Sequence, residues 1–254
     1  MSWVFENTGV HNGEFNMQYD LSLSQSLIDG KGYPTIRVYG WNPPAISLGY
    51  NQIAYEIDFI KAKSDNIDVV RRPTGGKAIL HWNELTYSVT MFTQGRSTLA
   101  TYKFISGALL EAFKYLGLKV SLEKGKTISS LKVYEPSRAV CFSRTSFYEI
   151  MFDNKKITGS AQRRFATSNG KEVVLQHGSI PLTPDYMKLI DYLNVQQEEK
   201  REELRELLLN KSIDLSTALD REVSFEEVAE AILYGFEKAW SVKLDVKEYN
   251  EIKR

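Results

Sequence analysis

One cysteine and one lysine in this chain are the residues best suited to covalent chemistry. Cys141 is the only cysteine. Lys156 lies further along the chain and directly precedes the sequence Ile-Thr-Gly-Ser-Ala. A free thiol is mostly protonated at neutral pH, and a nearby ammonium group stabilises the reactive thiolate. A thiolate is a nucleophile that can form a covalent intermediate. Taken singly, both residues have ordinary interpretations, since a cysteine between Val140 and Phe142 is typically buried and unreactive and most lysines are simply exposed.

A glycine-rich segment upstream carries further polar side chains. A run of β-forming residues leads into two arginines, Pro73–Gly76 interrupts it, and residues 85–90 alternate apolar and polar as a half-buried strand does. We therefore predict a hairpin whose loop carries Arg72, Lys77 and His81. Adjacent glycines expose backbone N–H groups and let a ligand approach closely. An ordinary glycine hairpin with charged flanks would have the same composition.

Composition excludes several classes of function. The 32 basic and 32 acidic residues cancel, so no overall basic field points to nucleic acid. A single cysteine permits no intrachain disulfide, which is typical of a reducing cytoplasm. The N-terminus lacks a signal-peptide pattern, and no apolar run approaches the roughly 20 residues that cross a bilayer. We expect a cytoplasmic protein that acts neither on nucleic acid nor in a membrane.

Hydrophobic spacing predicts several helices among short strands. A helix over 16–29 would bury Met17, Leu21 and Ile28, and another begins at Ser97. A capping box predicts a further helix start at Ser224, and Asp153-Asn154 predicts a turn. The strands predict a single mixed α/β (α+β) domain with a largely antiparallel sheet flanked by helices. We assign the catalytic domain to residues 1–182 and a helical segment packed on the same domain to residues 183–254.

Three motifs together resemble the superfamily of biotin and lipoate protein ligases. They are Arg-Arg-x-Thr-Gly-Gly-x-x-x-x-His at 71–81, Lys-x-x-Gly-Ser-Ala-Gln at 156–162 and Gln-His-Gly-Ser at 176–179. Within that superfamily, Gly-Gly-Lys-Ala-Ile-Leu-His followed by Glu-Leu-Thr-Tyr-Ser resembles the LipM-type octanoyltransferases. Ala-Val-Cys-Phe followed by Tyr-Glu-Ile also resembles that type, and its cysteine matches the one that accepts the acyl group.

The resemblance implies both an activity and a site. It implies the class II ligase-like fold, and transfer of an octanoyl group from octanoyl-acyl carrier protein to a lysine of a lipoyl-accepting protein, such as glycine-cleavage H protein. Cys141 would carry the thioester, and Lys156 would lie beside the acyl carbonyl. The reaction needs no cofactor or metal, because the donor thioester is already activated. We expect a monomer. The residues expected to bind substrate are Arg72, Thr74, Gly75, Gly76, Lys77, Ala78, His81, Gly159, Ser160, Ala161 and His177.

Other activities stay compatible with these motifs. An ATP- and Mg-dependent lipoate ligase, or its catalytic subunit, is one. Against it, Lys77 stands where ligases have a third glycine, and Glu84-Leu85 replaces their Gly-Asn pair. An amidotransferase that moves octanoyl groups between lipoyl proteins would use the same cysteine chemistry. A non-catalytic module that binds acyl chains or lipoyl domains is a third alternative.

Overall fold

Strands and short helices alternate along the chain. The computed structural model describes residues 2–124 and 148–248. Within these ranges the strands are β1 (Trp3–His11), β2 (Thr35–Trp41), β3 (Ala45–Leu48), β4 (Asp68–Arg71), β5 (Ile79–His81), β6 (Glu84–Phe92), β7 (Ser121–Lys124), β8 (Tyr148–Phe152), β9 (Lys155–Lys156), β10 (Gly159–Ala166), β11 (Glu172–Pro181) and β12 (Leu244–Glu248). The α-helices are α1 (Gly13–Ile28), α2 (Phe59–Ser64), α3 (Thr98–Tyr115), α4 (Glu198–Lys211), α5 (Leu215–Leu219) and α6 (Phe225–Trp240). Two 3₁₀ helices span Ala54–Glu56 and Pro184–Tyr192.

A six-stranded mixed sheet forms the centre of the fold. Its order is β10-β11-β6-β2-β1-β12. The pairs from β10 to β2 are antiparallel, whereas β1 pairs in parallel with both β2 and β12. The prediction of a mixed, largely antiparallel sheet flanked by helices is confirmed. Because β12 forms one edge, the segment after residue 182 contributes a strand as well as helices.

The glycine segment is not the loop of a simple hairpin. β4 and β5 do not pair with each other, because β3 lies between them, parallel to β4 and antiparallel to β5. β6 belongs to the six-stranded sheet instead. The loop between β4 and β5 therefore crosses the end of β3, where Gly49 makes the approach possible. A Cβ on Gly49 would lie 2.0 Å from the carbonyl oxygen of Gly76.

Helices cover both faces of the central sheet. α1 contacts β6 and β11, while α3 and α6 pack on each other and α6 also contacts β6. As a result, β6 is buried at every position except the half-buried Phe92, so the prediction of a half-buried strand is wrong. A second apolar cluster lies between the β3–β5 sheet, the second 3₁₀ helix and α4.

Helix α1 buries polar rather than apolar residues along much of its inner face. Leu21, predicted to be buried, is 38% exposed. Asn16, Asp20 and Ser24 are buried instead, at i, i+4 and i+8 on one face. Polar groups inside a protein require partners, and those of α1 belong to the functional site. Helix starts were predicted better, since Ser97 and Ser224 both accept a backbone N–H as N-caps.

Candidate active site

A narrow cavity lies between the glycine loop, β6, β10 and β11. Six of the predicted site residues line it, and they are Arg72, His81, Gly159, Ser160, Ala161 and His177. Four further lining residues belong to the quoted motifs, and they are Ile79, Thr86, Gly178 and Ser179. The remaining four come from α1, β2 and β3, which the motifs do not include: Met17, Tyr39, Trp41 and Ser47. The exposed surface inside is mostly carbon, because many of the polar atoms bond to partners in the wall. An apolar chain with a polar head suits such a cavity.

Other predicted residues of the glycine loop do not line the cavity. Thr74 and Ala78 are buried, Gly75 and Gly76 are exposed, and Lys77 forms an ion pair of 3.6 Å with Glu56. Ala78 belongs to the second apolar cluster. Thr74 reaches the cavity wall indirectly, since its hydroxyl lies 2.5 Å from Nε2 of His177.

Arg72 holds the glycine loop in place from inside. Its guanidinium donates to the carbonyl oxygens of Gly75 and Lys77, at 2.8 and 2.7 Å. It also donates to the carbonyl and hydroxyl oxygens of Ser47. Only 3% of the residue is exposed. The planar fork of five donors explains why an arginine rather than a lysine suits this position.

Lys156 is buried and paired with a carboxylate that the motifs did not identify. Its Nζ lies 2.6 Å from Oε1 of Glu149 on the neighbouring strand β8, and both side chains are buried. The backbone N–H of Ile213 donates to the carbonyl of Lys156 at 3.0 Å. The segment after residue 182 therefore supports the lysine strand. Cys141 lies outside the described residues.

His81 stands in a chain of buried polar contacts. Its Nδ1 donates to Oε1 of Glu84 at 2.8 Å, and its Nε2 lies 2.7 Å from the hydroxyl of Ser47. The ring of Trp41 stacks on the imidazole at 4.0 Å. Burial would raise the pKa of Glu84, but His81 and the hydroxyl donors outweigh it, so this pKa lies below its ordinary value. Glu84 is therefore an ionised anchor for the histidine.

His177 belongs to a second network, centred on Asp20. The carboxylate of Asp20 accepts from Arg37 at 2.8 Å, from Tyr39 at 3.0 Å and from Nδ1 of His177 at 3.3 Å. Burial opposes ionisation of Asp20, but Arg37 and His177 outweigh it and hold its pKa below the ordinary value. Burial lowers the pKa of His177 more than Asp20 raises it. A neutral ring that donates from Nδ1 must accept at Nε2, so it accepts the hydroxyl proton of Thr74.

Ser160 faces the cavity with its hydroxyl oriented by two neighbours. The amide Nε2 of Gln176 donates to the hydroxyl of Tyr87 at 3.0 Å, and that hydroxyl lies 2.8 Å from Oγ of Ser160. Either hydroxyl can be the donor in this contact, and the Ser160 proton is available to a ligand in the arrangement in which Tyr87 donates. Burial raises the pKa of Tyr87 to about 12, so it stays a donor at neutral pH. Gly178 makes this contact possible, since a Cβ there would lie 2.6 Å from the Tyr87 ring.

Comparisons with known proteins show the family of this chain. Residues 12–237 match the family described as the lipoyl protein ligase A/B catalytic domain. The chain belongs to this family. It is 38% identical to the octanoyltransferase LipM of Anoxybacillus flavithermus over 98% of this chain and 90% of that protein. It is 36% identical to the octanoyltransferase LipM of Bacillus subtilis over 98% and 90% of the two chains. The predictions of this superfamily and of an acyltransferase enzyme are confirmed.

Solved structures of this family have the same fold. Lipoate-protein ligase A bound with ATP has a TM-score of 0.75 at 23% identity, covering 99% of this chain and 90% of that one. The bi-partite lipoate protein ligase of Thermoplasma acidophilum, solved in a study with its E2 lipoyl domain, also has a TM-score of 0.75, at 19% identity, with 99% and 88% covered. At these identities the likeness concerns the fold alone.

The described residues contain neither a metal-binding cluster nor a membrane-spanning helix. Over 2–124 and 148–248, no group of three or more His, Cys, Asp or Glu side chains is arranged to hold a metal ion. In the same ranges no helix is both long and apolar enough to span a membrane.

Sequence reasoning missed the charged residues behind the cavity. Asp20, Arg37, Glu84 and Glu149 occur singly in α1, β2, β6 and β8, and no motif of the site includes the first two. One signal was available, because Asn16, Asp20 and Ser24 recur every four residues in phase with the buried Met17. Arg37 could not be recognised in this way, since an arginine in a strand normally indicates an exposed face.

Proposed function

We propose that this enzyme transfers an octanoyl group from octanoyl-acyl carrier protein to a lysine of a lipoyl-accepting protein, through a thioester on Cys141. The observation that carries the proposal is the near full-length similarity to octanoyltransferases in a chain that keeps Cys141 within the Ala-Val-Cys-Phe motif. The reaction would serve lipoate biosynthesis.

The reaction takes two displacement steps. The Cys141 thiolate attacks the carbonyl carbon of the donor thioester, a new C–S bond forms, and the carrier leaves as a thiol after taking up a proton. The acceptor lysine, as a neutral amine, then attacks the Cys141 thioester. An amide C–N bond forms, the C–S bond breaks, and a proton from the amine goes to the departing thiolate. No oxidant, metal or nucleotide is needed, because both steps exchange one acyl bond for another.

Two donors suit the carbonyl oxygen that becomes negative in each step. Lys156 supplies an ammonium group, and Ser160 supplies a hydroxyl that donates to this oxygen when Tyr87 is the donor in their own contact. β10 is an edge strand, so alternate N–H groups between Gly159 and Ala161 point away from β11 and add to this set. Fixed donors of this kind stabilise the transition state more than the ground state.

The cavity supplies the acyl site. It has room for the centres of only one or two water molecules as it stands, so an eight-carbon chain enters as lining side chains change rotamer. Met17 is suited to such a change, because methionine is unbranched and adaptable. Arg72 would keep the polar entrance of the cavity rigid during this movement. Thr74 would do the same indirectly, through its contact with His177.

Intact-mass spectrometry tests the proposal directly. The enzyme is mixed with octanoyl-carrier protein without ATP, and we expect an octanoyl adduct on the wild type that is absent from Cys141→Ala. Attachment of the free acid that requires ATP and persists in Cys141→Ser would show a lipoate ligase instead. Transfer from one octanoylated lipoyl protein to another, but not from the carrier, would show an amidotransferase. Tight binding with no adduct and no transfer would leave a binding module.

We further propose that the enzyme works as a monomer in the cytoplasm. Its chain carries one cysteine and no net charge, and its substrates are cytoplasmic proteins under the proposed function. Light scattering coupled to size-exclusion chromatography checks the first point, with a mass near 29.1 kDa expected.

A further inference from the structure

A cluster of exposed apolar side chains lies in the segment after β3. Five of the twelve exposed large apolar residues of the described chain fall within residues 50–60, and Ile60, Tyr55 and Ile53 are 85%, 71% and 57% exposed. We call this surface the 50–60 patch; it comprises Tyr50, Ile53, Tyr55, Phe59 and Ile60. Clustered apolar side chains on a protein surface are typical of a protein–protein interface.

The patch is fixed to the glycine loop. The backbone N–H of Tyr50 donates to the carbonyl of Thr74 at 2.8 Å. Lys77 of the loop pairs with Glu56 inside the patch segment. Arg71 donates to three carbonyls, those of Gly49, Tyr50 and Gln52, at 2.7 to 3.0 Å. A partner on this surface would therefore sit beside the loop that covers the cavity.

The patch also borders the cavity from the other side. Ala161 lines the cavity, and Arg163 stands two residues further along β10, on the same face of that strand. The Arg163 guanidinium lies 4.6 Å from the ring centroid of Tyr50 and donates to the carbonyl of Pro73. The surface is thus continuous from the cavity to Tyr50.

The charges around the patch favour an acidic partner. Glu56 is paired with Lys77, and Asp65 with Lys61. Among the described residues, Arg71 and Arg163 have no carboxylate within ion-pair distance and bond to carbonyl oxygens or aromatic rings instead. Two uncompensated arginines beside apolar side chains fit a protein that carries carboxylates next to an apolar surface.

We infer that the 50–60 patch docks the acceptor protein, one whose target lysine is flanked by carboxylates and apolar side chains. This inference rests on the proposed function. The acceptor is favoured over the acyl donor because of the distance over which each can deliver its reacting group into the cavity. A lysine side chain is short, so its protein must dock at the edge of the cavity, whereas a carrier protein delivers its thioester on a long flexible arm and can bind further away.

Matched double variants test this inference. Ile53→Ala/Tyr55→Ala removes two patch side chains, and Tyr33→Ala/Val246→Ala removes two of similar exposure at the β12 side of the molecule. We expect the patch variant to raise KM for the acceptor about tenfold or more. Its rate of octanoyl-enzyme formation from the carrier should stay unchanged, and the control variant should match the wild type in both assays. Added salt should weaken acceptor binding by the wild type, because it screens the arginines.

Contrary outcomes separate this inference from the proposed function. If the wild type is active and the acceptor KM is unchanged in the patch variant, the inference is wrong but the proposed function stands. If the patch variant raises the KM for the carrier instead, the surface docks the acyl donor. If the wild type forms no octanoyl adduct and transfers nothing, the proposed function fails. Calorimetric binding of the acceptor to wild type and both double variants then still tests the patch, and equal affinities would overturn it.

Discussion

Arg37–Asp20 and Lys156–Glu149 are both buried ion pairs, with N–O distances of 2.8 and 2.6 Å. Arg37 lies within the main sheet and also donates to Thr8 and to two oxygens of Asn16. The charge of Arg37 acts on the cavity wall indirectly: it keeps Asp20 ionised, and Asp20 in turn orients His177. Lys156 stands on the small sheet, three residues before the strand that lines the cavity. Buried charges persist only where they are well paired. We take the first pair to be architectural and the second to be chemical.

Breaking the first pair should produce the largest effect. Asp20→Asn keeps the shape of the side chain but leaves the Arg37 guanidinium buried without its carboxylate. We expect the free energy of unfolding to fall by about 3–5 kcal/mol, as measured by urea denaturation. Asp29→Asn, an exposed change at the end of α1, serves as the control. A loss below about 1 kcal/mol from Asp20→Asn would mean that the pair is not architectural.

Removing both charges of the second pair should separate chemistry from stability. Lys156→Met/Glu149→Gln removes both charges of the pair together, so we expect the free energy of unfolding to fall less than in either single variant. Transfer should slow by about 10²–10³, because an oxyanion donor is lost. The measurement is the octanoyl transfer rate beside a urea unfolding curve. A double variant that unfolds readily but transfers at the normal rate would show that the Lys156–Glu149 pair is architectural rather than chemical.

Labelling of Cys141 by iodoacetamide across pH adds a second measurement for this pair. A nearby ammonium lowers the pKa of a thiol, whereas burial raises it. If Lys156 acts on the thiol, the apparent pKa of Cys141 should rise in Lys156→Ala and fall in Glu149→Gln, where the ammonium loses its counter-charge. An identical profile in all three proteins would restrict Lys156 to the acyl carbonyl.

The two buried networks, one around Glu84 and one around Asp20, should also make stability depend on pH. The pKa values of Asp20, Glu84 and His177 all lie below their ordinary values. At pH values between the folded and unfolded pKa of each group, the unfolded chain therefore binds more protons. Stability is thus complete above about pH 6.5 and falls as the pH is lowered, first through His177 and then through the carboxylates. Unfolding curves from pH 8 to pH 4 test the trend. In His177→Gln the part of this fall just below about pH 6.5, the ordinary pKa of histidine, should be smaller. An unchanged slope there would exclude His177 as the cause.

The smallest effect is expected at the hydroxyl relay. Tyr87→Phe removes the hydroxyl that bonds to Ser160 and should lower kcat by about tenfold or less, with KM unchanged. One hydrogen bond is worth about 0.5–1.5 kcal/mol. Adding Ser160→Ala should cost little more, because both changes remove one function. Additive losses in the double variant would show that the two hydroxyls act separately.

The sequence by itself determined the parts of this protein that are local. Helix caps at Ser97 and Ser224, the turn at Asp153-Asn154 and the motif residues around Arg72 and Gly159 depend on neighbours a few positions away. Backbone preferences and side-chain caps act over that range, so their residue types can be interpreted directly. The superfamily and the acyltransferase class followed from the same short motifs.

Only the tertiary structure decided which residues meet behind those motifs. His177 contacts Asp20 across 157 positions of sequence and Thr74 across 103. The two strands that sequence alone pairs as a hairpin, β4 and β6, lie in different sheets, and β4 pairs with β3 instead. Burial of β6 on both faces required helices from both halves of the chain. A buried charge is stable only beside its partner, and the partner of Arg37 comes from another element of the fold, so no local pattern could reveal that this arginine is inside.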